Sequence, residues 1–142
     1  MRRAWIGSVS SFAAAMMLAG AAPAFAQAPA PAPAAAGNAE NGEDVFKKCR
    51  ACHLVGDGAK DTVGPNLNGV IGRKAGTSET YKLYSDSMKE LGAKGATWDD
   101  ANLDSYLTNP KVLVPQGKMA FAGLKEKSDR DDVIAYLKKF TK

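Results

Sequence analysis

Apolar residues recur at helical spacing in four stretches of the chain, and nowhere do they alternate over a useful length of strand. Val133, Tyr136, Leu137 and Phe140 lie three or four apart around one face, behind Ser128-Asp129-Arg130-Asp131, which has the form of a capping box. Thr97-Trp98-Asp99-Asp100 has the same form and opens a second predicted helix, which Asn109-Pro110 must stop. Asn38 can cap a helix through Val45 and Phe46 to the cysteines that follow. A shorter helix is predicted from Ser85 to Gly92, with Met88 and Leu91 facing inward. The segments between them carry Gly64-Pro65, Gly69, Gly72, Gly76, Pro115 and Gly117, so they read as long loops. The pattern predicts a small all-α domain with much of its chain in loops.

The first residues read as an address. Met1-Arg2-Arg3 is basic, Ile6 to Ala22 is apolar and rich in small residues, and Ala24-Phe25-Ala26 has the small-x-small form of a cleavage site. Ser8, Ser10, Ser11 and the glycines make this stretch marginal as a membrane span of about 20 apolar residues. Residues 1–26 are therefore expected to be a cleaved signal peptide and the protein to work in a bacterial periplasm. Residues 27–37 are dominated by proline and alanine, a leader or spacer that cannot build a core. Its extended reach is only about 30 Å, at about 3.1 Å per residue. Residues 38–142 are one domain's worth of chain with no internal repeat.

The chemistry is concentrated in Cys49-Arg50-Ala51-Cys52-His53, which holds both cysteines and the one histidine of the chain. C-x-x-C-H is the attachment signature of a c-type haem: two thiols bond the porphyrin and the adjacent imidazole ligates its iron. A four-ligand zinc site would need a second Cys/His pair, and none remains. A thioredoxin-like dithiol would need a βαβ context that this helical pattern lacks. One covalent haem c is expected, and it would supply apolar core that so small a domain is short of. With His53 used, the second axial ligand must be a methionine. Met1, Met16 and Met17 fall in the expected signal, and Met88 fits a helical core face with Leu91. Met119 follows Pro115-Gln116-Gly117 in a segment unsuited to a helix, where a loop can present its thioether; it is the expected ligand.

From about Gly42 to Lys142 the chain resembles class I cytochromes c of the bacterial cytochrome c2 and mitochondrial kind. The resemblance lies in Gly42 and Phe46 before the motif, Gly64-Pro65-Asn66-Leu67-Asn68-Gly69 after it, then Gly72-Arg73-Lys74 and Thr97-Trp98. It continues through Tyr106-Leu107, Asn109-Pro110, Lys118-Met119-Ala120-Phe121-Ala122-Gly123 and Ile134-Ala135-Tyr136-Leu137, in the family's order. It implies the class I cytochrome c fold, with Met119 as axial ligand and the Pro65 carbonyl accepting the Nδ1 proton of His53. It also implies that Tyr106 lies near the Met119 sulfur and that Arg73, Tyr84 and Trp98 supply donors to a buried haem propionate. Phe121 joins them in the haem environment, while Gly42, Phe46 and Tyr136 pack the first helix on the last. One departure is Gly117, where the family often has threonine or serine; the missing hydroxyl removes a contact and is expected to loosen the ligand loop.

An iron with imidazole and thioether on its two axial sides has no open position for a substrate, and the softer sulfur raises its potential. One-electron transfer is the expected function, and no enzymatic one, since no second histidine is present for distal acid-base chemistry. Arg2 and Arg3 would leave with the signal, taking the formal net charge from +4 to +2, so overall charge says little. Its distribution says more: Lys48, Lys74, Lys111, Lys118, Lys125 and Lys127 flank the segments expected around the haem edge. They form an expected docking face for acidic redox partners. The resemblance implies a monomer that takes electrons from a cytochrome bc1 complex and gives them to a terminal oxidase or a photosynthetic reaction centre, docking transiently at these membrane complexes. Nucleic-acid binding is not needed to explain the charge.

Overall fold

A computed structural model of the chain describes residues 36–141. The expected signal peptide, residues 1–26, and all but the end of the spacer lie outside the described residues. Five helices follow in order: α1 (Ala39–Phe46), α2 (Asp86–Ala93), α3 (Asp100–Thr108), α4 (Pro110–Leu113) and α5 (Lys127–Lys138). The fold is all-α. Among the described residues the nearest approach to a strand is one antiparallel bridge, Lys74 with Thr97.

Asn38 caps α1 as its position predicts, its side chain accepting from the N–H groups of Glu40 and Asn41. Its own N–H donates to Asp132 of α5 at 2.6 Å. The regular helix stops at Phe46, and turns carry the chain on through the cysteines. α1 packs chiefly on α5, and Gly42 permits the approach. A Cβ at Gly42 would strike the Asp132 carbonyl and lie 2.8 Å from Tyr136 Cβ. Phe46 then meets Tyr136 with ring centroids 5.4 Å apart. Phe46, Val114 and Val133 are fully buried, each contributing about 1.5–3 kcal/mol by leaving water.

Two predicted helix starts move. Thr97 does not cap α3, because residues 96–98 lie extended beside 72–75: Ala75 N–H donates to Ala96 O and Trp98 N–H to Arg73 O, both at 2.9 Å. Asp99 takes the cap and accepts from Asn102 N–H at 2.8 Å. Nor does Ser128 cap α5, which begins at Lys127 with Glu126 at the cap position and no side-chain cap bond. Asp131, the acidic end of the predicted box, is bonded by Lys127 at 2.6 Å instead. Asn109-Pro110 ends α3 and also starts α4, with Pro110 in the first turn where its missing N–H costs nothing. Ser85, the first residue of the predicted short helix, is the cap of α2, its hydroxyl accepting from Met88 N–H.

Candidate haem-attachment site

The turn that leaves α1 sets the spacing of the motif. Cys49 N–H donates to Phe46 O at 2.8 Å, and the N–H groups of Cys52 and His53 both donate to Cys49 O at 3.0 Å. Residues three and four apart on such a turn share a face, so Cys49, Cys52 and His53 are presented together. Neither cysteine is in a disulfide, and both are half-buried. Burial pushes the Cys49 thiol up from its ordinary value.

A strap of loop then holds the imidazole. Cys52 O accepts from Gly64 N–H at 2.9 Å and from Thr62 Oγ1 at 2.7 Å, while Leu67 N–H donates to Leu54 O. Asn68 closes the preceding loop by accepting from Gly56 N–H at 2.8 Å and donating to Gly56 O at 2.9 Å. His53 Nδ1 stands 2.7 Å from the Pro65 carbonyl, which accepts only, so Nδ1 carries the proton and Nε2 keeps its lone pair. Burial holds His53 below its ordinary value, which keeps the ring neutral and able to ligate. Gly64 lies so close that a Cβ there would strike His53 Cε1 and sit 2.9 Å from Nδ1.

Met119 sits on the loop between α4 and α5, half-buried against the core. The Tyr106 hydroxyl on α3 lies 4.0 Å from its sulfur. Burial pushes Tyr106 up to about 12, so it remains a donor. Trp98 backs it, ring centroids 4.9 Å apart. The loosening expected from Gly117 is offset by three bonds: Gly117 N–H to Val114 O at 2.9 Å, Lys111 Nζ to Gly117 O at 2.6 Å, and Lys118 Nζ to Leu83 O at 3.0 Å. A Cβ at Gly117 would lie 3.0 Å from Val114 O, so glycine also suits the tightness of the turn. At the far end Gly123 adopts φ +95° and presses on the Thr108 carbonyl, where no side chain fits.

The other predicted residues are spread more widely. Arg73 donates to Asn68 O at 3.2 Å and lines a cleft with Asn66, Ser78 and Thr80. Tyr84 is half-buried and meets Tyr81 edge to face at 4.9 Å. Phe121 and Met88 pack on the core from its margin. Of the six lysines, Lys48 pairs with Asp129 at 3.0 Å and Lys127 with Asp131 at 2.6 Å, whereas Lys111 and Lys118 are tied to the carbonyls above. Lys74 and Lys125 are exposed and make no ion pair among the described residues. Asp61 and Thr62 carry no signal in the sequence, and Asn68 enters there only as part of the family resemblance, with no role. Their contacts join residues 5 to 12 apart through loops, a separation with no periodic signal.

The donor set fits a c-type haem: two unlinked thiols, an imidazole whose Nε2 is the basic nitrogen, and a thioether with a hydroxyl beside it. Leu67, Ile71, Leu91, Leu107 and Leu113 add apolar surface that is only partly buried. Fold and donor set together are those of a small haem protein of electron transfer. The family model for cytochrome c matches residues 39–141. Cytochrome c-550 of Ancylobacter novellus is 54% identical over 99 residues, 70% of this chain and 92% of that protein. Cytochrome c2 of Rhodomicrobium vannielii is 54% identical over 103 residues, covering 72% and 79% respectively. The solved cytochrome c2 of Rhodospirillum centenum superposes with a TM-score of 0.70 at 39% identity, covering 75% of this chain and all of that one. The chain belongs to the class I cytochrome c family, in its bacterial cytochrome c2 and c-550 branch.

Proposed function

We propose that this chain is a periplasmic electron carrier with one haem c, bonded through Cys49 and Cys52 and ligated by His53 and Met119. The observation that carries the reading is the 2.7 Å contact of His53 Nδ1 with the Pro65 carbonyl, which fixes the tautomer that leaves Nε2 to a metal. When bound, the haem supplies a one-electron couple, with a thioether ligand favouring the ferrous state. The protein's part would be to hold the imidazole and the thioether still. Pro65 and Gly64 clamp the imidazole, while Tyr106 and the bonds at Lys111, Gly117 and Lys118 brace the sulfur. Little then needs to rearrange when the charge changes. Arg73, Tyr84 and Trp98 are assigned to the propionates, and Phe121 to the haem's surroundings, on the family resemblance.

Residues 1–26 are read as a cleaved signal, residues 27–37 as a spacer and residues 38–142 as the functional domain. Relatives named cytochrome c2 support an exchange with membrane redox complexes. We assign a cytochrome bc1 complex as donor and an oxidase or photosynthetic reaction centre as acceptor, with Lys48, Lys74, Lys111, Lys118, Lys125 and Lys127 framing the docking face of a monomer. The test is oxidation of the cytochrome in intact cells, followed after a light flash and after an oxygen pulse. Oxidation by either identifies the acceptor; oxidation by neither refutes the assignment.

A further inference from the structure

The Pro65–Asn66 peptide group is engaged at both ends. Its carbonyl accepts from His53 Nδ1 at 2.7 Å, and its N–H, belonging to Asn66, donates to Asp61 Oδ1 at 2.7 Å. Asp61 Oδ1 also accepts from Asn66 Nδ2 at 3.0 Å, so backbone and side chain of Asn66 converge on one carboxylate oxygen. Asn66 Nδ2 reaches Thr80 Oγ1 at 3.5 Å, and Thr80 stands 3.4 Å from the buried Ser78 hydroxyl, so the loop of Asp61 is tied to the loop after Arg73.

A peptide group is a resonant unit, so its two ends are not independent. A carboxylate at the N–H end draws positive charge there and leaves the carbonyl oxygen richer in electrons. Hydrogen bonds in such a chain strengthen one another, by about 10–30% per bond in condensed-phase estimates. A stronger acceptor at Nδ1 gives the imidazole more imidazolate character and makes Nε2 a better donor. Metal-binding histidines usually give their second N–H to a carboxylate or to a backbone carbonyl. Here the two stand in series.

We propose that Asp61 is a positioning residue for His53, acting through the Pro65–Asn66 peptide as a carboxylate–peptide–imidazole relay that strengthens the Nε2 donor and lowers the midpoint potential. This rests on the reading of His53 as an iron ligand. Asp61 lies below the usual carboxylate range, with the Asn66 N–H as the largest cause, so it is charged at neutral pH. Two simpler roles make different predictions. A mere turn-closing carboxylate would leave the potential alone. A surface charge acting through solvent would be screened as the Debye length falls from about 10 Å at about 0.1 M salt to about 3 Å at about 1 M.

The experiment compares holoprotein from wild type, Asp61→Asn, Asp61→Glu and Asp57→Asn. Asp57 is an exposed carboxylate of the neighbouring loop with no hydrogen bond among the described residues, so its removal reports the general cost of one charge. Midpoint potentials are measured at about 0.1 M and about 1 M salt, the two screening conditions above. The His53 Nδ1 proton resonance is followed in the ferrous state. Asp61→Asn preserves the shape of the contact and should raise the potential more than Asp57→Asn does. The excess should persist at high salt, and the Nδ1 proton should move upfield, as a weaker hydrogen bond requires. Asp61→Glu, which keeps the charge, should return both readouts toward wild type, and it provides the comparison should the Asn variant not accumulate. Equal shifts at the two positions, an excess that vanishes at high salt, or an unmoved Nδ1 proton would overturn the relay. Wild-type protein lacking a nitrogen-ligated low-spin spectrum would overturn the ligation reading and the relay together. A wild type with that spectrum confines any failure to the relay.

Discussion

Arg130 Nε donates to Asp104 Oδ1 at 2.8 Å, joining α5 to α3 at a point where the arginine is almost wholly buried. The same guanidinium donates through Nη1 to the carbonyls of Leu124 and Lys125, both at 2.8 Å. These residues follow the loop of Met119, and Leu124 N–H donates to Leu107 O on α3 at 2.7 Å. One cation thus secures the end of the ligand loop to the helix that carries Tyr106.

Replacing that arginine by methionine should cost about 3 kcal/mol, since breaking a buried pair strands its partners. The partly exposed Asp104 can rehydrate, so the loss comes mainly from the two carbonyls, at about 1–3 kcal/mol each. Guanidinium unfolding of the Arg130→Met holoprotein measures it. A loss under about 1 kcal/mol would remove Arg130 from this role.

Gly42→Ala should be worse than its single methyl implies. The added carbon meets the backbone of Asp132, which cannot swing aside, so α1 must lift from α5. Overpacking of this kind costs about 1–3 kcal/mol. A thermal melt checks it, with Ala39→Gly on the same helix as a control for backbone entropy alone. A melting point within a degree or so of wild type, about 0.2 kcal/mol, would refute the close crossing.

For ligation, Met119→Ala should leave the haem covalently attached, abolish the sulfur-to-iron charge-transfer band and lower the potential. Met88→Leu should do neither, because Met88 packs with the core. Visible spectra and potentiometry of the two variants decide it. The reverse pattern would exchange the roles of the two methionines.

Tyr106 adds a pH dependence. Its folded value, about 12, lies above the ordinary 10.0, so burial favours the protonated native state. That contribution is fully present below pH 10 and is lost as pH rises from there toward 12, at most about 3 kcal/mol for a two-unit shift. Wild type should therefore lose more stability than Tyr106→Phe across this window in urea unfolding. Parallel losses would show that Tyr106 titrates alike in both states.

Docking should depend on place as well as on charge. Reversing Lys118 and Lys125 to glutamate should slow reaction with an acidic partner more than reversing Lys138 and Lys139, though both pairs change net charge equally. Lys138 is already paired with Asp100 at 2.7 Å. Stopped-flow rates over a salt series measure it, since exposed charges are screened beyond about 8 Å at physiological salt. Equal slowing with equal salt slopes would leave only a general charge effect.

The sequence alone settled the parts whose physics is local. C-x-x-C-H places two thiols and an imidazole on one turn, and apolar spacing with Asn38 and Ser85 located α1 and α2. Counting donors singled out Met119 as the proposed ligand, since Met88 fits a core face and the other methionines fall in the expected signal. Helix starts were less legible: Thr97 and Ser128 had suitable neighbours, but Thr97 lost its cap to a distant segment, and Asp131 went to a partner one turn back in its own helix. Thr97 lies extended beside Lys74, and Asp131 is taken by Lys127. The tertiary structure alone decided the second contacts: Asp61 behind the Pro65–Asn66 peptide, Thr62 on Cys52 O, Arg130 on Leu124 and Lys125, and Lys118 on Leu83. Such bonds tie loops to one another or to a helix at separations in sequence that follow no period, and their geometry exists only once the core beneath them has set the backbone. Helical faces repeat along the chain and can be read from it; hydrogen bonds between loops do not repeat.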